Sequence, residues 1–274
     1  LWHGMSMYEL YQRAHTPWDW HKKIFDRCKE LGLLCFSSPF DETAVDFLET
    51  LNCPCYKIGS TENTDYELIK KVAETGKPVI ISTGMATIEE LGKITEVVKK
   101  AGCIELILLK CTAAYPASPA DANLLTIQHM KDMLDCQIGL SDHTLGMGVA
   151  VASVALGAVM VEKHFTISRK EGGVDSVFSM EPDEFSQMVI ETNIAWKAKG
   201  FICYGPIGSE NSNLSRRSLY IVKDINRGEK LTKQNIRSIR PGYGLAAKHI
   251  NTVLGMKATS DIKRGTRMSW DLVK

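Results

Sequence analysis

Two histidines stand at matching places in the chain. His143 follows the apolar run 137–140 through Ser141-Asp142, and His164 follows the run 158–161 through Glu162-Lys163. A small-residue stretch of helical length, about 148–156, lies between the two runs. Strand, helix and strand in that order predict one βαβ unit with parallel strands and a right-handed crossover. In parallel α/β sheets, ligands gather at the carboxyl ends of the strands. Two imidazoles at equivalent ends of neighbouring strands therefore face one site, and their donor chemistry suits a single divalent metal. The competing reading is that each histidine caps its strand and hydrogen-bonds locally.

The elements that must position this pair extend well beyond it. Runs at 33–36, 55–58, 78–82, 105–110, 137–140 and 158–161 read as strands. Helical runs lie between them at about 42–51, 64–75, 87–101, 121–134 and 148–156. Each strand run is continuously apolar, as strands covered on both faces are. Each also ends in small or polar residues: Ser37-Ser38-Pro39, Lys57-Ile58-Gly59-Ser60, Ser82-Thr83-Gly84, Lys110-Cys111-Thr112, then the two histidine triplets. Hydroxyls, lysines and glycine turns repeated in register suit a bound phosphate. A single such turn would be ordinary turn chemistry.

The expected architecture is an α/β barrel of the (β/α)8 type. Six expected strands do not close eight, so either the sheet is open or the first two βα units are missing and the chain is N-terminally truncated. Before the first expected strand, Thr16-Pro17-Trp18-Asp19 reads as a helix start with Thr16 as N-cap. Trp20, Ile24, Phe25, Cys28 and Leu31 recur at helical spacing up to Gly32. Residues 1–15 show no clear period.

After His164 come a loop with Gly172-Gly173 and Asp175, then a helix over 182–199. Its Phe185, Met188, Ile190 and Trp196 read as core packing, with Glu184 beside them. The barrel domain is placed at 1–200, a Gly/Ser/Asn-rich linker at 201–214 and a second domain at 215–274. The second domain contains a repeat: Asp224-Ile225-Asn226-Arg227-Gly228 returns as Asp261-Ile262-Lys263-Arg264-Gly265. Short strands and turns at this spacing predict a small β-rich fold near the size limit for folding alone.

Charge divides the same way. Residues 210–274 hold 14 Lys/Arg against 5 Asp/Glu, while the remainder holds 19 against 27. With no aromatic-interleaved basic motif, the basic unit reads as packing on the acidic body or covering an anionic substrate, and no nucleic acid is expected. No apolar run approaches the length of a membrane span. The eight cysteines include no CxxC pair. Reduced thiols in a cytoplasmic protein are the expectation.

YKIGS (56–60), STGM (82–85), GLSDHT (139–144), EKHFT (162–166) and SIRPGYG (238–244) together resemble the sialic acid synthase family, over nearly the whole chain. The stretches 16–21, FSSPFDETAVDFLE (36–49) and RRSL (216–219) are most similar to the members that make pseudaminic acid. The resemblance implies a phosphoenolpyruvate-condensing barrel and a C-terminal antifreeze-like (SAF) domain. The implied acceptor is a 2,4-diacetamido-trideoxy hexose, with N-acetylmannosamine as the alternative.

Residue roles follow from the same resemblance. His143 and His164 would bind manganese, magnesium or cobalt. Lys57, Ser82, Ser141 and Ser38 would hold phosphoenolpyruvate. Glu62 and Asp175 would be catalytic, Glu62 near the water on the metal and Asp175 in contact with the sugar, and Tyr115 would bind substrate. Arg240 would reach the sugar pocket of a partner subunit in a domain-swapped homodimer. Two departures stand out. Ala113 follows Cys111-Thr112 where the family has an asparagine, which removes a phosphate contact. The family's glutamate on strand one and lysine on strand two have no counterpart in residues 1–32. The remaining alternatives are a carbohydrate-binding module on an inactive barrel fragment, or another phosphoenolpyruvate aldol-type synthase. The histidine pair speaks against the first, and the repeat-bearing tail against the second.

Overall fold

The computed structural model describes residues 4, 6–208, 210 and 212–274. Positions 209 and 211 of the expected linker, and 1–3 and 5 of the stretch without clear period, lie outside the described residues. The chain divides into two compact units, Leu1–Gly200 and Phe201–Lys274.

The first unit begins with two helices, α1 (Met7–Ala14) and α2 (Trp18–Glu30). The first was not expected, yet its signal is present: Ser6 and Glu9 form a reciprocal capping box. The second starts one residue later than expected. Pro17, not Thr16, is the N-cap, because Pro17 is still extended and no side chain caps the turn.

Then follow α3 (Glu42–Thr50), β1 (Tyr56–Ile58), α4 (Tyr66–Ala73), β2 (Val79–Ser82), α5 (Ile88–Lys100), β3 (Leu106–Cys111), α6 (Leu125–Leu134), β4 (Gln137–Asp142), α7 (Gly148–Ala155), β5 (Val161–Lys163) and α8 (Pro182–Lys199). Asp41, Asp65 and Thr87 cap α3, α4 and α5 through their side chains, which satisfies the first free amides. All neighbouring strands pair parallel, in the strict order β1-β2-β3-β4-β5. Right-handed crossovers that always step the same way lay their helices on one face and curl the sheet, which is barrel topology. A doubly wound sheet would reverse its order partway.

The run 33–36 is not a strand. It forms no ladder, and contact with β1 is limited to an isolated bridge from Ser37 to Tyr56. Leu34 is 82% exposed. A strand is defined by its neighbours, and among the described residues this segment has β1 on one side alone. The sheet is therefore open at both edges, with β5 paired to β4 alone among the described residues.

Alternate residues of the strands face the helices. Tyr56, Ile58, Val79, Ile81, Leu106, Leu108 and Ile138 pack against Leu48, Ile69, Val72, Ile94, Val98 and Met130 in one buried cluster. The residues between them line the inner face. That face is tight at Gly139, where a Cβ would stand 2.6 Å from both Leu109 Cδ2 and the Met160 carbonyl oxygen. Gly139→Ala is expected to cost about 1–3 kcal/mol of stability, read as a lower urea midpoint. An unchanged midpoint would mean that the inner face yields freely. On α8, Met188 is buried, but Ile190 and Trp196 are about half exposed, so the expected core packing holds for only part of that helix.

In the second unit, β6 (Ser218–Ile221) pairs antiparallel with β7 (Ile236–Ile239) over a core including Leu219, Ile221, Ile225, Leu231, Ile236 and Met268. The two repeat copies face each other through a bridge between Ile225 and Ile262. Each aspartate caps the other copy's turn: Arg264 N donates to Asp224 Oδ1 and Arg227 N to Asp261 Oδ1, both at 2.7 Å. All eight cysteines are free. No helix among the described residues is long and apolar enough to cross a membrane.

Candidate active site

The register of β4 against β5 builds the site. Leu140, Ser141 and Asp142 stand opposite Val161, Glu162 and Lys163. His143 and His164 are the next facing pair, one residue past each strand. Both strands lie further along the chain than the apolar runs implied: β4 continues to Asp142, and β5 starts at Val161.

The two imidazole centroids are 5.2 Å apart. The Tyr115 ring lies 4.3 Å from His143 and 6.2 Å from His164. Phe178 closes the cluster, 5.0 Å from His164 and 5.6 Å from Tyr115. The Thr112 carbonyl, which can only accept, is 2.9 Å from His143 Nδ1. In the neutral ring Nδ1 therefore carries the hydrogen, and Nε2 keeps its lone pair. This second contact, fixing ring and tautomer, is the arrangement of a metal-ligating imidazole. Asp175 Oδ2 stands 3.5 Å from His164 Nδ1, a charge contact and not a hydrogen bond.

Among the described residues no cluster of three or more His, Cys, Asp and Glu forms a metal cage. The histidine pair is the set that could hold a metal here. The donor chemistry of two imidazoles would suit one divalent ion at an open site.

Burial disfavours the charged ring of His143, but the Cys111 thiol and the Thr112 carbonyl outweigh it and hold its pKa above the ordinary value. Burial likewise opposes the Cys111 thiolate, but His143, 3.9 Å from its sulfur, and Ser60 bring that thiol below its usual value. For His164 burial prevails, and the nearby His143 adds to it, so its pKa is lowered despite Asp175.

Beneath the histidines the inner face is polar. Cys111, Ser141 and Glu162 are in register across three strands. Ser141 Oγ donates to Glu162 Oε1 at 2.7 Å, and Lys57 Nζ lies 3.6 Å from Glu162 Oε2. Burial pushes the Lys57 ammonium down, against the pull of Glu162. Burial lowers Lys110 in the same way, while its Nζ donates to Thr112 Oγ1 at 2.8 Å. Ser82 Oγ and Glu62 Oε2 are buried without a hydrogen-bond partner among the described residues. Unpaired buried groups of this kind cost free energy and mark places where a ligand completes the bonding. The bare Cα of Gly59 admits the Glu62 carboxylate, because a Cβ there would collide with it. The Tyr115 phenol is raised by burial first and then by Cys111, Asp175, Glu162 and Glu62, which shows how closely these groups converge.

The structure thus gathers His143, His164, Tyr115, Asp175, Glu62, Lys57 and Ser141 around one mouth. Ser82 ends β2 with its hydroxyl buried, and Ser38 is half-buried just after the Ser37 bridge. Arg240 is exposed just past β7, in the second unit. Sequence reasoning missed Glu162, Cys111 and Phe178. It also missed the pair behind the histidines, Asp142 and Lys163, whose ends meet at 2.7 Å with each side chain 1% exposed. Asp142 Oδ1 accepts from Thr144 N and Oγ1, and Lys163 Nζ also donates to the Thr144 carbonyl. All but Phe178 sit at strand ends the sequence singled out, and the motifs themselves were the available signal.

An open parallel barrel sheet, a histidine pair over an anion-ready floor and a small β-rich second unit define a barrel synthase class with an appended domain. The chain belongs to the NeuB family, which it matches over residues 1–203, with an SAF domain over residues 216–274. It is 40% identical to the pseudaminic acid synthase of Helicobacter pylori, covering 99% of this chain and 80% of that protein. It is 42% identical to that of Campylobacter jejuni, covering 97% and 78%. Among solved structures, it resembles the N-acetylneuraminic acid synthetase of Leptospira borgpetersenii with a TM-score of 0.68 and 32% identity, over 71% of this chain and 68% of that one.

Proposed function

We propose that this chain joins phosphoenolpyruvate to the aldehyde of an acetamido sugar, releasing phosphate and forming a nonulosonic acid of the pseudaminic type. The observation that carries the reading is the facing pair His143 and His164 above the Lys57–Glu162–Ser141 floor. A divalent ion held by the two histidines would supply Lewis-acid polarisation of the aldehyde.

The chain's own residues do the rest. Lys57 provides a buried cation for the phosphate or carboxylate of phosphoenolpyruvate. Ser82 and Ser141 add hydroxyl donors, and Ser38 adds one from the sheet edge. Held in place, the enol carbon attacks the aldehyde carbon: the C=C π pair forms the new carbon–carbon bond, the C=O π pair moves to oxygen, and that oxygen takes a proton from solvent. Water then adds to the adjacent cationic carbon, and as the hydroxyl so formed gives up its remaining proton to become a keto group, the carbon–oxygen bond to phosphate breaks and phosphate departs. Glu62, with one carboxylate oxygen unpaired, takes the proton from that water. Asp175 and Tyr115 hold the sugar hydroxyl and amide groups. Positioning of two reactants in one cavity carries much of the acceleration.

The sugar assignment is supported by the similarity to the two pseudaminic acid synthases. The test is mass spectrometry of products formed from phosphoenolpyruvate, manganese and either candidate sugar. The expected result is product from the 2,4-diacetamido sugar. Efficient use of N-acetylmannosamine alone would reassign the acceptor, and no product from either would overturn the reading. The homodimer implied by the family resemblance is checked separately by light scattering.

A further inference from the structure

We propose that Arg169 is a positioning residue for the acceptor sugar, acting as the clamp that holds Asp175 and Phe178 against the histidine pair. This rests on the reaction proposed above and extends it to a residue that touches neither substrate nor metal.

The chain leaves β5 at His164 and makes an excursion that returns on itself. Met180 N donates to the His164 carbonyl at 2.8 Å, and Thr166 N to the Met180 carbonyl at 2.9 Å. The excursion between them carries Gly172-Gly173 near its tip, then Asp175 and Phe178. Arg169 ties both of its limbs to the start of α8. Its guanidinium forms a two-pronged pair with Glu184, at 2.5 and 3.0 Å, and lies 3.5 Å from Glu181 Oε2. The same guanidinium donates to the Ser179 carbonyl at 3.0 Å, and Arg169 N donates to Glu181 Oε1 at 2.8 Å.

Packing holds only part of this excursion: Phe178 and Met180 are buried, whereas Val177 and Val174 are exposed. A half-open cleft of about 270 Å³ adjoins its second limb, lined by Leu145, Arg169, Phe178, Met180 and Glu184 among others. Where apolar contact is incomplete, a planar fork with fixed geometry sets position better than a flexible ammonium would. The pair is about two-fifths exposed on each side, so its share of global stability is small. Its effect falls on where Asp175 and Phe178 stand.

The experiment measures sugar and phosphoenolpyruvate affinity by calorimetry, and KM for each, in the whole chain. Arg169→Ala is expected to weaken sugar binding about tenfold and leave phosphoenolpyruvate affinity within about twofold. The melting temperature should stay within about 3 °C of the parent. Arg169→Lys should fall between the two. Glu184→Gln keeps the acceptor that caps α8 but removes half of the charge pair, so it should raise the sugar KM several-fold. The double variant should be no worse than Arg169→Ala. Hydrogen exchange supplies a readout independent of turnover: amides at 170–178 should exchange faster in Arg169→Ala, while those of α8 stay protected. Unchanged sugar affinity, an equal loss for phosphoenolpyruvate, or unchanged exchange at 170–178 would overturn the clamp. A parent chain that binds neither substrate would count against the reaction instead, and the exchange result would still decide the clamp.

Discussion

Replacing either His143 or His164 with alanine is expected to lower kcat/KM on the order of 10³-fold, because Lewis-acid activation is worth several kcal/mol. Manganese binding, followed by calorimetry, should fall in parallel. The two effects must come together if the imidazoles share one ion, since two donors from the protein leave no redundancy. Loss should be similar for the two variants, although His143 is the more buried and has its ring fixed by Thr112. A melting curve controls for the packing around His143. If one variant bound manganese normally and the other did not, the shared site would be wrong. If both bound it normally and still failed to turn over, the histidines would act as proton carriers, not ligands.

The second large effect concerns folding. Asp142→Ala or Lys163→Ala is expected to destabilise the protein by about 3–5 kcal/mol, because each leaves its partner as an uncompensated buried charge. The pair is 1% exposed on both sides and bonded at 2.7 Å. Replacing both with apolar residues, Asp142→Leu with Lys163→Met, removes the stranded charge and should recover part of the loss. Recovery should stop short, because Thr144 would lose the acceptor that Asp142 provides to its amide and hydroxyl. Urea denaturation of the singles and the double measures this directly. Single losses under about 1 kcal/mol would show that water reaches the pair and screens it. Because the pair lies one residue before each histidine, the singles should also weaken manganese binding.

The histidine pair is legible in the sequence because a βαβ unit puts equivalent strand ends side by side whatever the details. Glu162 and Lys163 are not legible in that way. The apolar pattern placed the strand at 158–161, whereas the ladder runs over Val161–Lys163. A shift of this size decides whether a charged residue belongs to the loop or the sheet, and which face it takes. The run 33–36 fails for a different reason. Its composition matches the other strands, but pairing depends on neighbours along the sheet and not on the run itself. Arg169 and Glu184 are fifteen residues apart, and their meeting depends on an excursion whose return path no local pattern announces.

The crossed aspartates of the second unit bear on how it folds. Asp224 caps a turn forty residues downstream, and Asp261 caps one thirty-four residues upstream. Each turn closes on its own backbone, Glu229 N donating to the Asn226 carbonyl and Thr266 N to the Lys263 carbonyl, but takes its capping carboxylate from the other copy. For that cap each copy needs the other already in place, so the halves must order together, and the entropy of closing a long loop is spent before either cap forms. Such non-local closure makes a transition cooperative and slow for the unit's size. A peptide ending before Asp261 should show little structure by circular dichroism, however well its sequence matches the copy it has lost.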